Sequence, residues 1–253
     1  MLDKFIKAKQ GEIIRLQELE KAGTMPLPVQ GGRQDMFQAL AGPGPAVIAE
    51  YKRASPSRGL INPGLSPAMA AEMFMDKKAA AVSVLTEEDH FQGSLEYLKD
   101  FAFTGLPLLR KDFIFDPLQI RQTAATNAAG VLLIVRVVKC SELLRRLTGL
   151  GMDLGLEPVV EVFSRDEVKA ARQAGARTIL VNNRDLDSLK VDLEVSRQLI
   201  RGKQDREVWI CASGIETKTQ IKEFSALGFD AFLIGTSIMS SPDPGEKLKE
   251  LTL

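Results

Sequence analysis

A chain of 253 residues with 45% hydrophobic and 26% charged side chains has the material for one sizeable core and is too apolar to be disordered. Its 33 Lys plus Arg cancel its 33 Asp plus Glu, which excludes a general nucleic-acid binder, since those proteins hold phosphates with surplus cations. One histidine, His90, and two cysteines, Cys140 and Cys211, exclude zinc sites built from Cys and His clusters and leave little room for a disulfide framework; no metal is assigned.

The first twenty residues mix acids among bases around no continuous apolar core, so they do not read as a signal peptide. The longest apolar stretch, Val131 to Val135 with its flanking alanines, falls far short of the roughly 20 residues a membrane helix needs. A cytoplasmic protein without membrane contact is expected. Leu2, Phe5, Ile6, Ile13 and Leu16 recur at helical spacing and predict one amphipathic opening helix. The Pro- and Gly-rich segment from Gly23 to Pro45 predicts a loop with one helical turn at Met36 to Leu40.

A rhythm then begins. Short β-rich runs stand at Val47–Lys52, Ala81–Thr86, Leu108–Phe113, Gly130–Val135, Pro158–Val162, Thr178–Asn182, Val208–Ser213 and Ala231–Thr236. Helical patterns separate them, clearest in DEVKAARQAGA and KTQIKEFSALGFD, which each close on a Gly suited to a helix C-terminus. Apolar strands alternating with helices predict a parallel sheet buried on both faces. Eight such units predict an α/β fold, the (β/α)8 TIM barrel with an additional N-terminal helix. Residues 1–253 are read as a single barrel domain, with 1–45 as N-terminal helical extension and loop. An open doubly wound sheet is the weaker alternative, because RASPSRG rather than G-x-G-x-x-G follows the first strand.

Several strands end in ionisable or amide residues. Glu50 and Lys52 alternate at the end of the first, so both point to one face. Lys111 closes the third, Glu161 the fifth, and Asn182 with Arg184 the sixth. Each alone reads as a solvated rim group. Together, inward-alternating charges cost burial energy unless they share a polar pocket, and a barrel gathers these positions at its C-terminal mouth. Ser213 and Gly214 precede one helical pattern, while Gly235, Thr236 and Ser237 precede another. Plain turn chemistry uses the same residues, but two such turns on neighbouring strands favour a phosphate group. His90 reads as a loop or packing residue, Cys211 as core, and Cys140 as a helix start; no P-loop is present.

The words at these strand ends resemble the indole-3-glycerol phosphate synthase family. They are IAEYKRASPSRG (48–59), VLTEEDHFQGSLEYL (84–98), LLRKDFIFDPLQI (108–120), VEVFSRDE (160–167), VNNRDL (181–186) and ASGI (212–215). The likeness touches every strand, and its most specific pieces are KRASPSRG, RKDF and NNRDL. The length fits one barrel, so the fusion with phosphoribosylanthranilate isomerase seen in some members is not expected.

The resemblance implies a carbon–carbon carboxy-lyase of tryptophan biosynthesis. It would close the indole ring of 1-(2-carboxyphenylamino)-1-deoxyribulose 5-phosphate with loss of CO2 and water, and without a cofactor. On this likeness Lys111 is the general acid and Glu161 the acid/base of the dehydration. Lys52 serves substrate anions or acid catalysis, the division between the two lysines staying open. Glu50 and Asn182 hold the lysines and substrate hydroxyls in place. Arg184 meets the anthranilate carboxylate or orders its own loop, while Ser55 and Ser213 contact substrate. Gly214, Gly235 and Thr236 form the phosphate cradle. Phe91, Phe113, Leu132, Leu186 and Ile215 make an apolar wall against the anthranilate ring, ordinary packing being the alternative for each, and the first helix helps to close the pocket. The implied partner is one phosphorylated small molecule; the implied state is a monomer able to associate weakly with other tryptophan-pathway enzymes.

One position departs from the pattern. The family usually has Glu immediately before the Ser-Gly of the seventh strand, where this chain has Ala212. A Schiff-base aldolase using Lys111 and a phosphate-binding barrel that has lost catalysis are the competing expectations.

Overall fold

The computed structural model describes residues 2–56 and 58–252. Eight parallel strands close into a barrel: β1 Ala46–Tyr51, β2 Ala81–Leu85, β3 Leu108–Lys111, β4 Gly130–Ile134, β5 Glu157–Val162, β6 Thr178–Asn182, β7 Val208–Ala212 and β8 Ala231–Ile234. Each strand pairs with the next in sequence, and β8 pairs back onto β1 with Ile48 opposite Leu233. The expected barrel is therefore present. Several strands stop short of their expected C-terminal ends: β1 ends before Lys52, β3 before Phe113 and β8 before Gly235. There the backbone leaves the ladder to form the mouth, and Gly235 caps the short helix Thr236–Met239.

Period-2 alternation divides the hydrophobic residues into two cores. Val47, Ala49, Tyr51, Val82, Val131, Val160, Trp209 and Phe232 point outward and are buried beneath the helices. Ile48, Leu109, Leu132, Val159, Leu180 and Ile210 belong to a second cluster that fills the barrel. The helices Arg165–Gln173 and Lys218–Ala226 are capped at their starts by Ser164 and Thr217. They are followed by Gly175 and Gly228 in the left-handed conformation, as their sequences predict. Cys211 lies in the outer core, and Cys140 immediately precedes the helix Ser141–Asp153.

The N-terminal segment runs from the mouth of the barrel to its base. The expected single opening helix is two, α1 Leu2–Ala8 and α2 Gln10–Lys21, interrupted at Lys9. The break coincides with a side chain that turns inward. Lys9 is buried, and its ammonium turns inward to Asp112 Oδ2 at 2.9 Å and to Glu12. The predicted turn at Met36–Leu40 is a helix capped by Asp35, and its Met36 and Leu40 are buried with the barrel interior around Ala46 and Ala81. Among the described residues no helix is long and apolar enough to cross a membrane.

A buried ionic network joins this segment to β3. Arg110 is 1% exposed and donates to Glu12 Oε1 at 2.8 Å and Asp112 Oδ2 at 2.9 Å; Thr86 Oγ1 donates to the same Asp112 oxygen at 2.6 Å. Burial alone would push the Asp112 carboxyl up, but Arg110, Lys9 and the Thr86 hydroxyl outweigh it and hold it below its ordinary value. Removing one member leaves the others buried and uncompensated. Asp112→Ala is expected to cost about 3–5 kcal/mol in urea unfolding at pH 7. With a depressed folded-state value, the contribution is complete above the ordinary carboxylate value of about 4 and disappears as pH falls below it. The gap between wild type and Asp112→Ala should therefore narrow by pH 3.

Candidate active site

The floor of the pocket is the uppermost inward layer of the barrel. Alternation that places Ile48, Leu109, Val159 and Leu180 in the apolar interior brings Glu50, Lys111, Glu161 and Asn182 inward one pleat higher. Glu161 is fully buried and accepts from Asn182 Nδ2 at 3.0 Å. Lys111 Nζ lies 3.5 Å from the other Glu161 oxygen. Lys52 Nζ, just past β1, donates to Glu50 Oε1 at 2.6 Å. Burial would raise the Glu50 carboxyl, but Lys52, Lys111 and Arg184 prevail and hold it below the usual range. Glu50 is thus a carboxylate at neutral pH, set among three cations.

The turns after β7 and β8 form the next layer. Ser213 and Gly214 both adopt left-handed conformations, with φ of 66° and 85°, so successive N–H groups can turn toward one concavity. Asn183 holds this turn, its Nδ2 donating to the carbonyls of Ala212 at 3.1 Å and Ser213 at 3.0 Å. Beyond β8, Gly235 packs on Glu50. A Cβ on Gly235 would fall 3.0 Å from Glu50 Cβ and closer still to Oε1. Ser213, Gly214, Gly235, Thr236, Ser55 and Arg58 all line the same cavity. Arg184 lines it too, donating to Leu189 O at 2.9 Å; burial, and then Arg58, lower its guanidinium from the ordinary value.

The opposite wall is apolar. Phe5 of α1 stacks on Phe113 with ring centroids 4.4 Å apart and planes 11° from parallel, and Phe91 lies tilted beside both. Glu87 accepts from the Phe91 N–H at 3.0 Å, so the TEEDHF turn fixes that ring. His90 stands edge-on to Phe5 and contacts Glu87 Oε1 through Nδ1 at 3.0 Å, outside the pocket lining. Leu186 and Ile215 complete the wall with Ile134. Leu132 does not reach it: this residue is fully buried inside the barrel one pleat lower, and Ile134 takes the place at the mouth.

One cavity of about 560 Å³ therefore contains every expected site residue except Leu132. It has cations and carboxylates at its floor, turns rich in N–H groups at one end, and aromatic rings at the other. An anionic group, a proton-transfer centre and a flat ring can be accommodated along its length. Residues that the sequence reading did not single out as site contacts include Phe5, Arg58, Leu85, Asp112, Ile134, Leu189, Val191, Leu193, Glu216 and Leu233. Alternation could have given Leu233 and Leu85; the loop residues carry no periodic signal. Among the described residues no three His, Cys, Asp or Glu side chains converge where a metal ion could be held.

Comparison with known proteins matches residues 2–251 to the family model described as indole-3-glycerol phosphate synthase. Relatives of that name include one from Carboxydothermus hydrogenoformans, 40% identical over 242 residues, covering 95% of this chain and 90% of the relative. Another, from Aquifex aeolicus, is 44% identical over 220 residues, covering 86% of this chain and 85% of its own. Among solved structures, 3-hexulose-6-phosphate synthase from Salmonella typhimurium superposes with a TM-score of 0.64 at 16% identity, over 82% of this chain and 96% of that one. This last likeness concerns the fold alone.

Gly235→Ala is expected to force the Glu50 side chain aside and release Lys52. Turnover should fall by about 100-fold, the scale of a misplacement near 1 Å, while the urea midpoint stays close to wild type. Unchanged turnover would show that the Glu50 position is not critical.

Proposed function

The chain belongs to the indole-3-glycerol phosphate synthase family, and from that premise we propose how its pocket carries out the ring closure. The activity is conversion of 1-(2-carboxyphenylamino)-1-deoxyribulose 5-phosphate to indole-3-glycerol phosphate with loss of CO2 and water, a lyase step of tryptophan biosynthesis. The substrate spans the cavity. Its phosphate lies in the Ser213–Gly214 and Gly235–Thr236 turns, and its anthranilate ring packs against Phe91, Phe113, Leu186 and Ile215, with Phe5 above. Ser55 contacts the substrate from the loop after β1, and Arg184 faces the carboxylate.

Lys111 gives a proton to the ribulose carbonyl oxygen as the aryl carbon bearing the carboxylate attacks the carbonyl carbon. The carboxylate then leaves as CO2, its bonding electrons restoring the aromatic ring. Loss of the resulting hydroxyl as water completes the indole, with Glu161 shuttling the protons of that half. Lys52, paired with Glu50, neutralises substrate anions, and Asn182 keeps Glu161 in register with Lys111. The observation that carries this assignment is the 3.5 Å approach of Lys111 to the buried Glu161 between an apolar wall and an N–H-lined turn. A monomeric cytoplasmic enzyme, associating weakly with other tryptophan-pathway enzymes, belongs to the same proposal.

The test is addition of the carboxyphenylamino-deoxyribulose phosphate while following indole fluorescence. Wild type should produce the signal, and its absence at high enzyme concentration would sink the assignment. Lys111→Ala should lower turnover by about 10³-fold or more with the fold intact, as loss of a positioned general acid requires. Borohydride should trap no lysine adduct. Ala212 lines the floor of the pocket without a carboxylate, and Ala212→Glu is expected to change turnover by no more than about tenfold, ~1.4 kcal/mol in barrier. A larger gain would mean that Glu50 and Glu161 are not sufficient.

A further inference from the structure

The short helix Val135–Val138 after β4 carries Arg136, which lies outside the pocket lining. Its guanidinium joins three elements. Nε donates to Glu167 Oε1 at 2.9 Å on the helix Arg165–Gln173, and Nη1 donates to Asp185 Oδ2 at 3.0 Å in the loop after β6. Its Cζ sits 4.2 Å from the Phe163 ring centroid, within cation–π reach. The other Glu167 oxygen accepts from the Phe163 N–H at 2.7 Å, so the carboxylate and the ring that hold Arg136 are themselves tied together.

Asp185 is the hub of the loop it occupies. Oδ1 accepts from the Ser188 N–H and hydroxyl, both at 2.8 Å. Its own N–H donates to Lys190 O at 3.0 Å, and its carbonyl accepts from the Leu189 N–H at 2.9 Å. Leu189 is held at φ 59°, a left-handed conformation that leucine rarely adopts, and its carbonyl is the acceptor for Arg184. Folded on Asp185, the loop presents Arg184, Leu186, Leu189, Val191 and Leu193 to the cavity.

We propose that Arg136 is a positioning residue for the synthase reaction: it grips Asp185 from outside the pocket and so fixes the loop of residues 184–193 in its substrate-binding shape. The proposal rests on the cavity being the substrate pocket. Each of its ion pairs is partly exposed and weak alone, but one planar group held by two carboxylates and a ring has few orientations open to it. The loop carries neither Lys111 nor Glu161, so its loosening acts on binding and leaves the chemical step in place.

Steady-state kinetics of wild type, Arg136→Ala, Arg136→Lys, Asp185→Asn and Arg136→Ala/Asp185→Asn test this. Arg136→Ala is expected to raise KM by about three- to tenfold, with kcat altered by less than about twofold, the signature of lost uniform binding. Asp185→Asn should raise KM similarly, the double variant should add little, and Arg136→Lys should recover part of the loss. Hydrogen exchange of the ligand-free protein should show faster exchange across 185–193 in Arg136→Ala, with the barrel strands unchanged. Wild-type KM and wild-type loop exchange in Arg136→Ala would overturn the proposal, as would a fall in kcat at unchanged KM. Exchange needs no turnover, so an inactive wild type would overturn the functional assignment and leave the clamp decided by its own readout.

Discussion

Two carboxylates inside a closed barrel are costly groups to place, and the upper half of this molecule is organised around supplying them with partners. A parallel barrel buries both faces of every strand, so an inward acid has no water to fall back on unless the mouth provides it. Glu161 is met by the Asn182 amide and the Lys111 ammonium, and Glu50 by Lys52. The same pairings that make burial tolerable also leave proton donors and acceptors side by side over a dry apolar layer. Chemistry at the floor and stability of the floor are therefore one arrangement.

Farther out, the partners change from charge to backbone. Asn183 spends its amide on the carbonyls of Ala212 and Ser213, and Gly235 gives up a side chain so that Glu50 can lie against it. Ala212 belongs to this economy of space: a small inward residue beside Asn182 keeps the floor open. Asn182 at the end of β6 and Asn183 just beyond it thus divide the work, one facing the carboxylate inside and the other tying the next turn outside.

Much of this was legible in the sequence because it depends on alternation. Charges at the ends of several strands fall on one face by alternation alone, and the structure gathers them. Leu132 shows the limit. The family likeness put it in the wall, whereas it lies inside the barrel, and a single pleat separates the wall of the pocket from the interior beneath it. The break at Lys9, the burial of Arg110 and the reach of Arg136 were not legible. Each depends on a partner distant in sequence, and nothing local distinguishes a lysine or arginine that turns inward from one that remains in solvent. The overshoot of β1, β3 and β8 has a related cause, since the polar residues that mark the mouth continue the strand's composition after its hydrogen bonding has ended.

The ion pair between Lys9 and Asp112 spans 103 positions of the chain. During synthesis α1 and α2 are made before β3, and the carboxylate that holds them does not exist until that strand has been made. At about 5–20 residues per second the wait is on the order of 5–20 s. Throughout it Phe5, Ile13 and Leu16 have no barrel to cover them. The segment that finishes the mouth of the pocket is thus made well before the strand that anchors it, and its apolar face needs shielding until β3 has been made.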